Sequence, residues 1–153
     1  MNHATVRIAL IQHADQGDTD ANLDLIAEET AMAVRDGAQL ILLQELHNGP
    51  YFCQTEDPAQ FDRAEPIPGP STERLGEIAR VHGVVVVGSL FERRAPGLYH
   101  NTAVVLERDG SLTIDMGLVL QGYCSDMTRN VVPGEPDKKY LERHRLVRKA
   151  QLA

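Results

Sequence analysis

Glu45 is the residue of this sequence whose type and position most directly indicate catalysis. It follows the short apolar run Leu40–Leu43, which is typical of a parallel strand buried on both faces. Open α/β sheets place ligands and reactive groups at the carboxyl ends of such strands. A partly desolvated carboxylate at that place can accept a proton as a general base. The alternative is that Glu45 is an ordinary polar residue at the end of a strand.

Two strand–helix–strand units position this glutamate. Apolar residues recur at helical spacing in two stretches, and continuous apolar runs flank them. The predicted strands are Val6–Ile11, Leu40–Leu43 and Val84–Val87, and the predicted helices run from Asp20 to Gly37 and from Ser71 to Gly83. An α/β layered sheet follows from this order of elements.

The rest of the chain predicts a hairpin and a last helix. A proline-rich stretch from about Leu46 to Pro70 is longer than most connections in a compact domain, and such loops are often functional. Strands are predicted over Tyr99–Glu107 and from Leu112 onward, because Asp-Gly within Arg108–Ser111 is a strong hairpin signal. Residues 140–152 predict a final helix.

The charge distribution divides the chain near residue 137. Residues 1–137 carry 9 Arg, no Lys and 21 acidic residues, a net charge of −12, whereas the last 16 residues carry six basic residues and one acidic residue. The net charge of −7 over the whole chain argues against a nucleic-acid-binding protein. The basic tail indicates a solvated basic helix, a segment for an anionic partner, or a boundary.

Composition also argues against secretion and membrane insertion. The N-terminal residues 1–5 lack the pattern of a signal peptide, and no apolar run approaches the roughly 18 residues that cross a bilayer. Cys53 and Cys124 are far apart and have no metal-binding spacing, so we expect two free thiols. We therefore expect a soluble, cytoplasmic protein with no membrane or nucleic-acid partner.

Five segments resemble the nitrilase superfamily of carbon-nitrogen hydrolases in order and spacing. They are Val6–Gln12, Gly37–Glu45, Gly69–Thr72, Val84–Gly88 and Tyr99–Ala103. Between about residues 6 and 112, where this resemblance runs, the stretch Glu45–Gln54 is similar to the N-carbamoylputrescine amidase branch, which hydrolyses an N-carbamoyl amine. The resemblance implies an incomplete α-β-β-α sandwich, a small-molecule substrate and no cofactor.

The same resemblance implies a glutamate base, a lysine that stabilises the oxyanion, and a cysteine nucleophile. Glu45 matches the base. The family's lysine follows the hairpin at Asp109–Leu112, where this chain has Thr113–Met116 instead, and the first lysine of the chain is Lys138. Cys53 does not match the nucleophile, whose motif is absent. Because such groups act as a unit, we predict no significant amidase activity.

From about residue 112 the sequence resembles the pita-bread metallopeptidases, which include Xaa-Pro peptidases and methionine aminopeptidases. The resemblance is carried by residues 113–117, 122–129 and 133–134. It implies that Asp115 and Asp126 are ligands of a divalent metal such as Mn²⁺ or Co²⁺. A turn centred on Leu120 and Gln121 would place the two aspartates directly opposite each other, with Cβ atoms roughly 5 Å apart. The family's histidine and two glutamates are not matched, so a polar hairpin with exposed aspartates is the alternative.

The chain is therefore interpreted as a composite of two parts. Residues 1–112 form a nitrilase-like N-terminal part, and residues 113–153 form a metallopeptidase-like hairpin with a basic helix. We expect Glu45 near the mouth of a pocket, the hairpin at a sheet edge, and association or aggregation through uncovered sheet. Three functions stay open: an amidase-like carbon-nitrogen hydrolase, a fragment of a dinuclear metallopeptidase, and a non-catalytic protein that binds a small molecule or a partner subunit.

Overall fold

The computed structural model describes residues 5–54, 56–120, 123–132 and 135–151, with the backbone alone described for residues 115–120 and 123–127. The strands are β1 (Ile8–Ile11), β2 (Leu40–Leu43), β3 (Val85–Ala95), β4 (Leu98–Leu106), β5 (Leu112–Leu120) and β6 (Tyr123–Val131). The α-helices are α1 (Thr19–Arg35), α2 (Pro70–His82) and α3 (Lys138–Gln151), and a 3₁₀ helix spans Pro58–Arg63. The predicted α/β class is confirmed.

The strands form one six-stranded sheet in sequence order, from β1 at one edge to β6 at the other. Strands β1, β2 and β3 are parallel, and α1 and α2 lie in the connections between them. Strands β3 to β6 continue the sheet as an antiparallel meander. The two predicted strand–helix–strand units are therefore present, and the C-terminal hairpin lies at the sheet edge, as expected.

Local sequence signals fix the ends of the two packed helices. The Asp18 carboxylate accepts a hydrogen bond from the backbone N–H of Ala21 at 2.8 Å, so α1 starts slightly earlier than predicted. Helix α2 ends at Gly83, whose φ of +63° is a left-handed conformation that glycine adopts without steric cost. Both helices therefore begin and end close to where capping rules predict.

The core lies between one face of the sheet and the two helices α1 and α2. Its most buried side chains come from both layers: Leu23, Ile26, Leu75, Ile78, Ile41, Val86, Leu90, Val104 and Leu106. On the opposite face of the sheet, Ile8 is 55% exposed, Leu10 75% and Leu42 41%. The described residues thus build two layers, helices on sheet, and the predicted uncovered apolar face is observed.

Strand β3 is the element that differs most from the prediction. A strand over Val84–Val87 was expected, but β3 continues to Ala95 and pairs with β4 along most of its length. The extension carries polar residues such as Ser89 and Glu92 among apolar ones, which the search for a continuous apolar run misses. This extension matters because it passes beside Glu45.

The basic helix α3 forms as predicted, over Lys138–Gln151. Its side chains are exposed apart from the half-buried Tyr140, whose ring stacks on His144 with the ring centroids 6.3 Å apart. In the described part of the chain, no helix combines the length and the apolar character needed to cross a membrane.

Candidate active site

Glu45 lies on a tight turn at the carboxyl end of β2. Two residues beyond the strand its side chain is exposed, while the next two residues are buried, Leu46 at 3% exposure and His47 at 0%. Leu46 has a φ of +51°, a left-handed conformation that is uncommon for a bulky residue. Because Leu46 and His47 are buried, the backbone that carries Glu45 is held in place.

The Glu45 carboxylate is held by an amide from the antiparallel part of the sheet. Asn101 Nδ2 on β4 donates to Glu45 Oε1 at 2.6 Å. The Ser89 hydroxyl on β3 donates to Asn101 Oδ1 at 2.8 Å, and its oxygen accepts from the Leu46 backbone N–H at 3.4 Å. Residues of β3 and β4 therefore position the Glu45 side chain, which follows the end of β2.

His47 is the buried neighbour of this chain of hydrogen bonds. The backbone N–H of Ser89 donates to His47 Nδ1 at 3.4 Å, and Nε2 is buried with no partner among the described residues. Burial lowers the pKa of His47 to about 4, and nearby His13 adds to this lowering. The ring is therefore neutral near pH 7 and acts there as an acceptor for Ser89.

The loop after Glu45 is tied to the start of α2. Asn48 Nδ2 donates to Glu65 Oε1 at 2.8 Å and to the Ser71 hydroxyl at 3.1 Å. The other carboxylate oxygen of Glu65 accepts from the Ser71 backbone N–H at 2.9 Å, where a helix N-terminus favours negative charge. The long loop is thus closed by side-chain hydrogen bonds at both of its ends.

An aromatic cluster adjoins the hydrogen-bonded pair of Glu45 and Asn101. The ring of Phe91 lies 4.9 Å from that of Phe52 and 5.6 Å from that of Tyr99, and Phe61 lies 4.6 Å from Tyr99, all measured between centroids. Phe91 pairs with Asn101 across the two strands. An aromatic cluster therefore lies next to the asparagine that binds Glu45.

Tyr51 interacts electrostatically with both Glu45 and Cys53. The Glu45 carboxylate raises the pKa of the exposed Tyr51 phenol above its usual value, and the Cys53 thiol adds to this effect. Cys53 is an exposed free thiol, as expected, whereas the side chain of Cys124 lies outside the described residues.

The cavity next to Glu45 is small. A small cavity of about 20 Å³ is lined by the neighbours Leu46, Asn48 and Phe52, but Glu45 does not line it. The larger cavities, about 680 and 420 Å³, lie around the turn between β4 and β5. Glu45 thus lies next to a small cavity on an open face of the sheet, and its place near the mouth of a substrate pocket stays a prediction.

The expected pairing of Asp115 with Asp126 is wrong. In the β5–β6 register Asp115 lies opposite Thr128, and Asp126 lies opposite Gly117. Leu120 pairs with Tyr123, so the register differs from the predicted one, and the two aspartates are diagonal neighbours, a spacing of roughly 7–8 Å. Their side chains lie outside the described part of the chain, so the metal role stays a prediction. Among the side chains that are described, no group of three or more His, Cys, Asp or Glu could hold a metal ion.

Comparison with known proteins decides the family. The family model described as carbon-nitrogen hydrolase matches residues 7–145. The chain belongs to the carbon-nitrogen hydrolase family. Because this match includes most of the segment from residue 113 onward, that segment aligns with the carbon-nitrogen hydrolases, and nothing in the comparisons supports the resemblance to metallopeptidases.

Two groups of curated relatives stand among the carbon-nitrogen hydrolases most similar to this chain. The N-carbamoylputrescine amidase of Solanum lycopersicum is 34% identical over 137 residues, 89% of this chain and 43% of the relative. The omega-amidase NIT2 of Bos taurus is 34% identical over 111 residues, 72% of this chain and 39% of the relative. The chain thus spans about two fifths of the length of these relatives.

Solved carbon-nitrogen hydrolases share the fold. The enzyme of Helicobacter pylori G27 has a TM-score of 0.66 and 37% identity, covering 70% of this chain and 37% of that chain. An amidase from Nesterenkonia sp. AN1, solved with butyramide, has a TM-score of 0.55 and 34% identity, covering 70% of this chain and 40% of that chain. The architecture described above is therefore part of a larger nitrilase-like fold.

Sequence reasoning found Glu45 but missed the residues that hold it. Ser89, Asn101 and His47 all lie in or beside segments that resemble the family, yet no role was predicted for them. The available signal was a polar residue on the outward face of each of two paired strands, since the alternate residues on either side of Ser89 and Asn101 are apolar or aromatic. These two polar residues point to a site only once the pairing of β3 with β4 is known, because that pairing brings both of them close to the end of β2.

Proposed function

We propose that this chain supplies the general-base part of a carbon-nitrogen hydrolase site that binds an N-carbamoyl amine. The observation that carries the proposal is the exposed Glu45 carboxylate at the carboxyl end of β2, held at Oε1 by Asn101 at 2.6 Å. A carboxylate in this position can take a proton from an attacking thiol or water. The proposal involves no cofactor.

Charge and aromatic contacts support an amine-bearing substrate. Residues 1–137 carry a net charge of −12, so their surface attracts cations. Phe91 lies opposite Asn101, which binds the base, and the rings of Phe52 and Tyr99 pack against Phe91. Aromatic faces bind both alkyl chains and ammonium groups. A short aliphatic chain between a carbamoyl group and an ammonium group fits this combination, and it matches the substrate class named for the plant relatives.

Binding without turnover is the expected behaviour of these 153 residues. The chain has no lysine before Lys138, and neither of its cysteines matches the family's nucleophile. A base without the oxyanion-stabilising cation and the nucleophile retains little rate enhancement, because such groups are strongly non-additive.

The proposal is tested by titrating isotope-labelled protein with N-carbamoylputrescine while the side-chain resonances of Glu45 and Asn101 are recorded. We expect saturable shifts at both residues and weaker binding in Glu45→Gln. N-butylurea, which keeps the carbamoyl group and lacks the ammonium, serves as the matched ligand and should bind more weakly. Saturable shifts confined to other parts of the chain, or none at all, would reject Glu45 as part of the site.

An ammonia-release assay with the same substrate tests the expected lack of turnover. Wild type, Glu45→Ala and Cys53→Ala should all remain at the background rate. Release by wild type that disappears in Glu45→Ala would show that the chain is catalytically complete. Release that disappears in Cys53→Ala would identify Cys53 as the nucleophile.

A further inference from the structure

We infer that Asn101 is a positioning residue that fixes the orientation of the Glu45 carboxylate, and that Ser89 fixes Asn101 in turn. The inference deepens the proposed function and rests on it, since the orientation of Glu45 matters for catalysis only if Glu45 is the base. Neither residue belongs to the family's set of glutamate, lysine and cysteine. The two side chains form a directed chain of hydrogen bonds that starts at β3 and ends at Glu45 Oε1.

The direction of this chain follows from its donors and acceptors. The Ser89 hydroxyl has one proton, which it donates to Asn101 Oδ1 at 2.8 Å, while its oxygen accepts from the Leu46 N–H. An asparagine whose oxygen is bound in this way must turn its NH₂ group to the opposite side. That side faces Glu45 Oε1 at 2.6 Å, so reversing the amide would set two oxygens against each other.

The bond leaves the second carboxylate oxygen available. Glu45 Oε2 has no hydrogen-bond partner among the residues that the structure describes. Since Glu45 is exposed, its side chain would otherwise sample several rotamers. Fixing Oε1 therefore presents Oε2 in one direction, which is what proton transfer from a bound group requires.

The buried ring of His47 supports the backbone of Ser89. Its buried ring accepts the Ser89 backbone N–H at 3.4 Å, and its Cε1 would lie 2.8 Å from a Cβ added at Gly88. Close packing of this ring against β3 holds the backbone of Ser89 in place. The side chains of Ser89 and Asn101 then act from fixed positions on two adjacent strands.

Nuclear magnetic resonance tests this inference without needing turnover. Three-bond couplings of labelled protein report the χ1 rotamer populations of Glu45. Wild type should show one dominant rotamer. Asn101→Ala should spread the population over more than one staggered rotamer, and Ser89→Ala should lie between wild type and Asn101→Ala. Unchanged populations in Asn101→Ala would overturn the inference.

Two further variants separate positioning from a general loss of structure. Asn48→Ala removes an asparagine that makes two hydrogen bonds nearby, yet it should leave the Glu45 rotamer unchanged. Asn101→Asp removes the NH₂ donor and places a second carboxylate beside Glu45, so the single Glu45 rotamer should be lost. The double variant Glu45→Gln with Asn101→Asp exchanges donor and acceptor and should restore a single rotamer at position 45. Failure of this rescue, or a change in Asn48→Ala equal to that in Asn101→Ala, would reject the positioning role.

The outcome is distinguishable from failure of the proposed function. Should N-carbamoylputrescine leave the Glu45 and Asn101 resonances unchanged, the proposed function fails, whatever the rotamer measurements show. If N-carbamoylputrescine binds but the Glu45 rotamer does not depend on Asn101, the proposed function stands and the positioning role of Asn101 is rejected.

Discussion

A neutral histidine buried beside a catalytic candidate makes stability depend on pH. Burial lowers the pKa of His47 from 6.5 to about 4, so between these values the unfolded chain binds more protons at this residue than the folded chain does. The free energy of unfolding therefore falls as pH falls through this window. The loss is complete below about 4, and it is absent above about 6.5.

We expect this effect to amount to about 2–3 kcal/mol between pH 7 and pH 4.5, because a tenfold change in proton affinity corresponds to about 1.4 kcal/mol. Urea unfolding of wild type and His47→Gln at both pH values measures it. The difference in unfolding free energy between the two pH values should be smaller in the variant by that amount. Equal differences would show that His47 titrates normally in the folded protein.

At the level of elements, strand β3 must carry a small residue where it passes His47. A Cβ at Gly88 would meet the ring at 2.8 Å, closer than real Cβ contacts, while a Cβ at Gly49 would meet nothing nearer than 3.6 Å. The two glycines lie close to the same site, and replacing either by alanine restricts the unfolded chain equally.

Gly88→Ala should therefore destabilise the protein by about 1–3 kcal/mol, the usual cost of overpacking a core. Gly49→Ala should cost less than Gly88→Ala. Thermal unfolding of both variants gives the comparison. Similar melting temperatures for both variants would mean that the His47 ring can move aside.

The elements also show what the sequence could and could not predict. Strand β2 and helices α1 and α2 carry strong local signals, a continuous apolar run and capping residues, and they were predicted nearly to the residue. The contacts of Glu45 depend on register between β3 and β4, which no local pattern specifies. The predicted pairing of Asp115 with Asp126 was wrong for the same reason, since a different register between β5 and β6 changes the partner of every residue.

At the scale of the molecule, the uncovered sheet face should drive association. Ile8, Leu10 and Leu42 present contiguous apolar surface on adjacent parallel strands. Burying one leucine side chain contributes about 2 kcal/mol, so a few such residues outweigh the ordering cost of a weak dimer. The surface lies opposite the face covered by α1 and α2.

We expect wild type to sediment as associated species at micromolar concentration and Leu10→Lys to shift towards monomer. Leu146→Lys is the matched control, since Leu146 is 63% exposed but lies on α3. Sedimentation velocity over a range of concentrations distinguishes them. Dissociation by Leu146→Lys alone would place the contact on α3 instead of the sheet.

The sheet contains both parallel and antiparallel strands, and this affects the order in which the strands fold. In the meander, paired strands are joined by short turns. In the parallel part, Ile8 pairs with Leu40 and Leu40 with Val85, so a long segment with a helix lies between the paired residues. Closing long loops costs more entropy, so contacts of high sequence separation form late. We expect strands β3 to β6 to form first and the parallel strands β1 and β2 to join them later. The carboxylate at the end of β2 therefore reaches its asparagine only in one of the last steps of folding, although that asparagine is in place early.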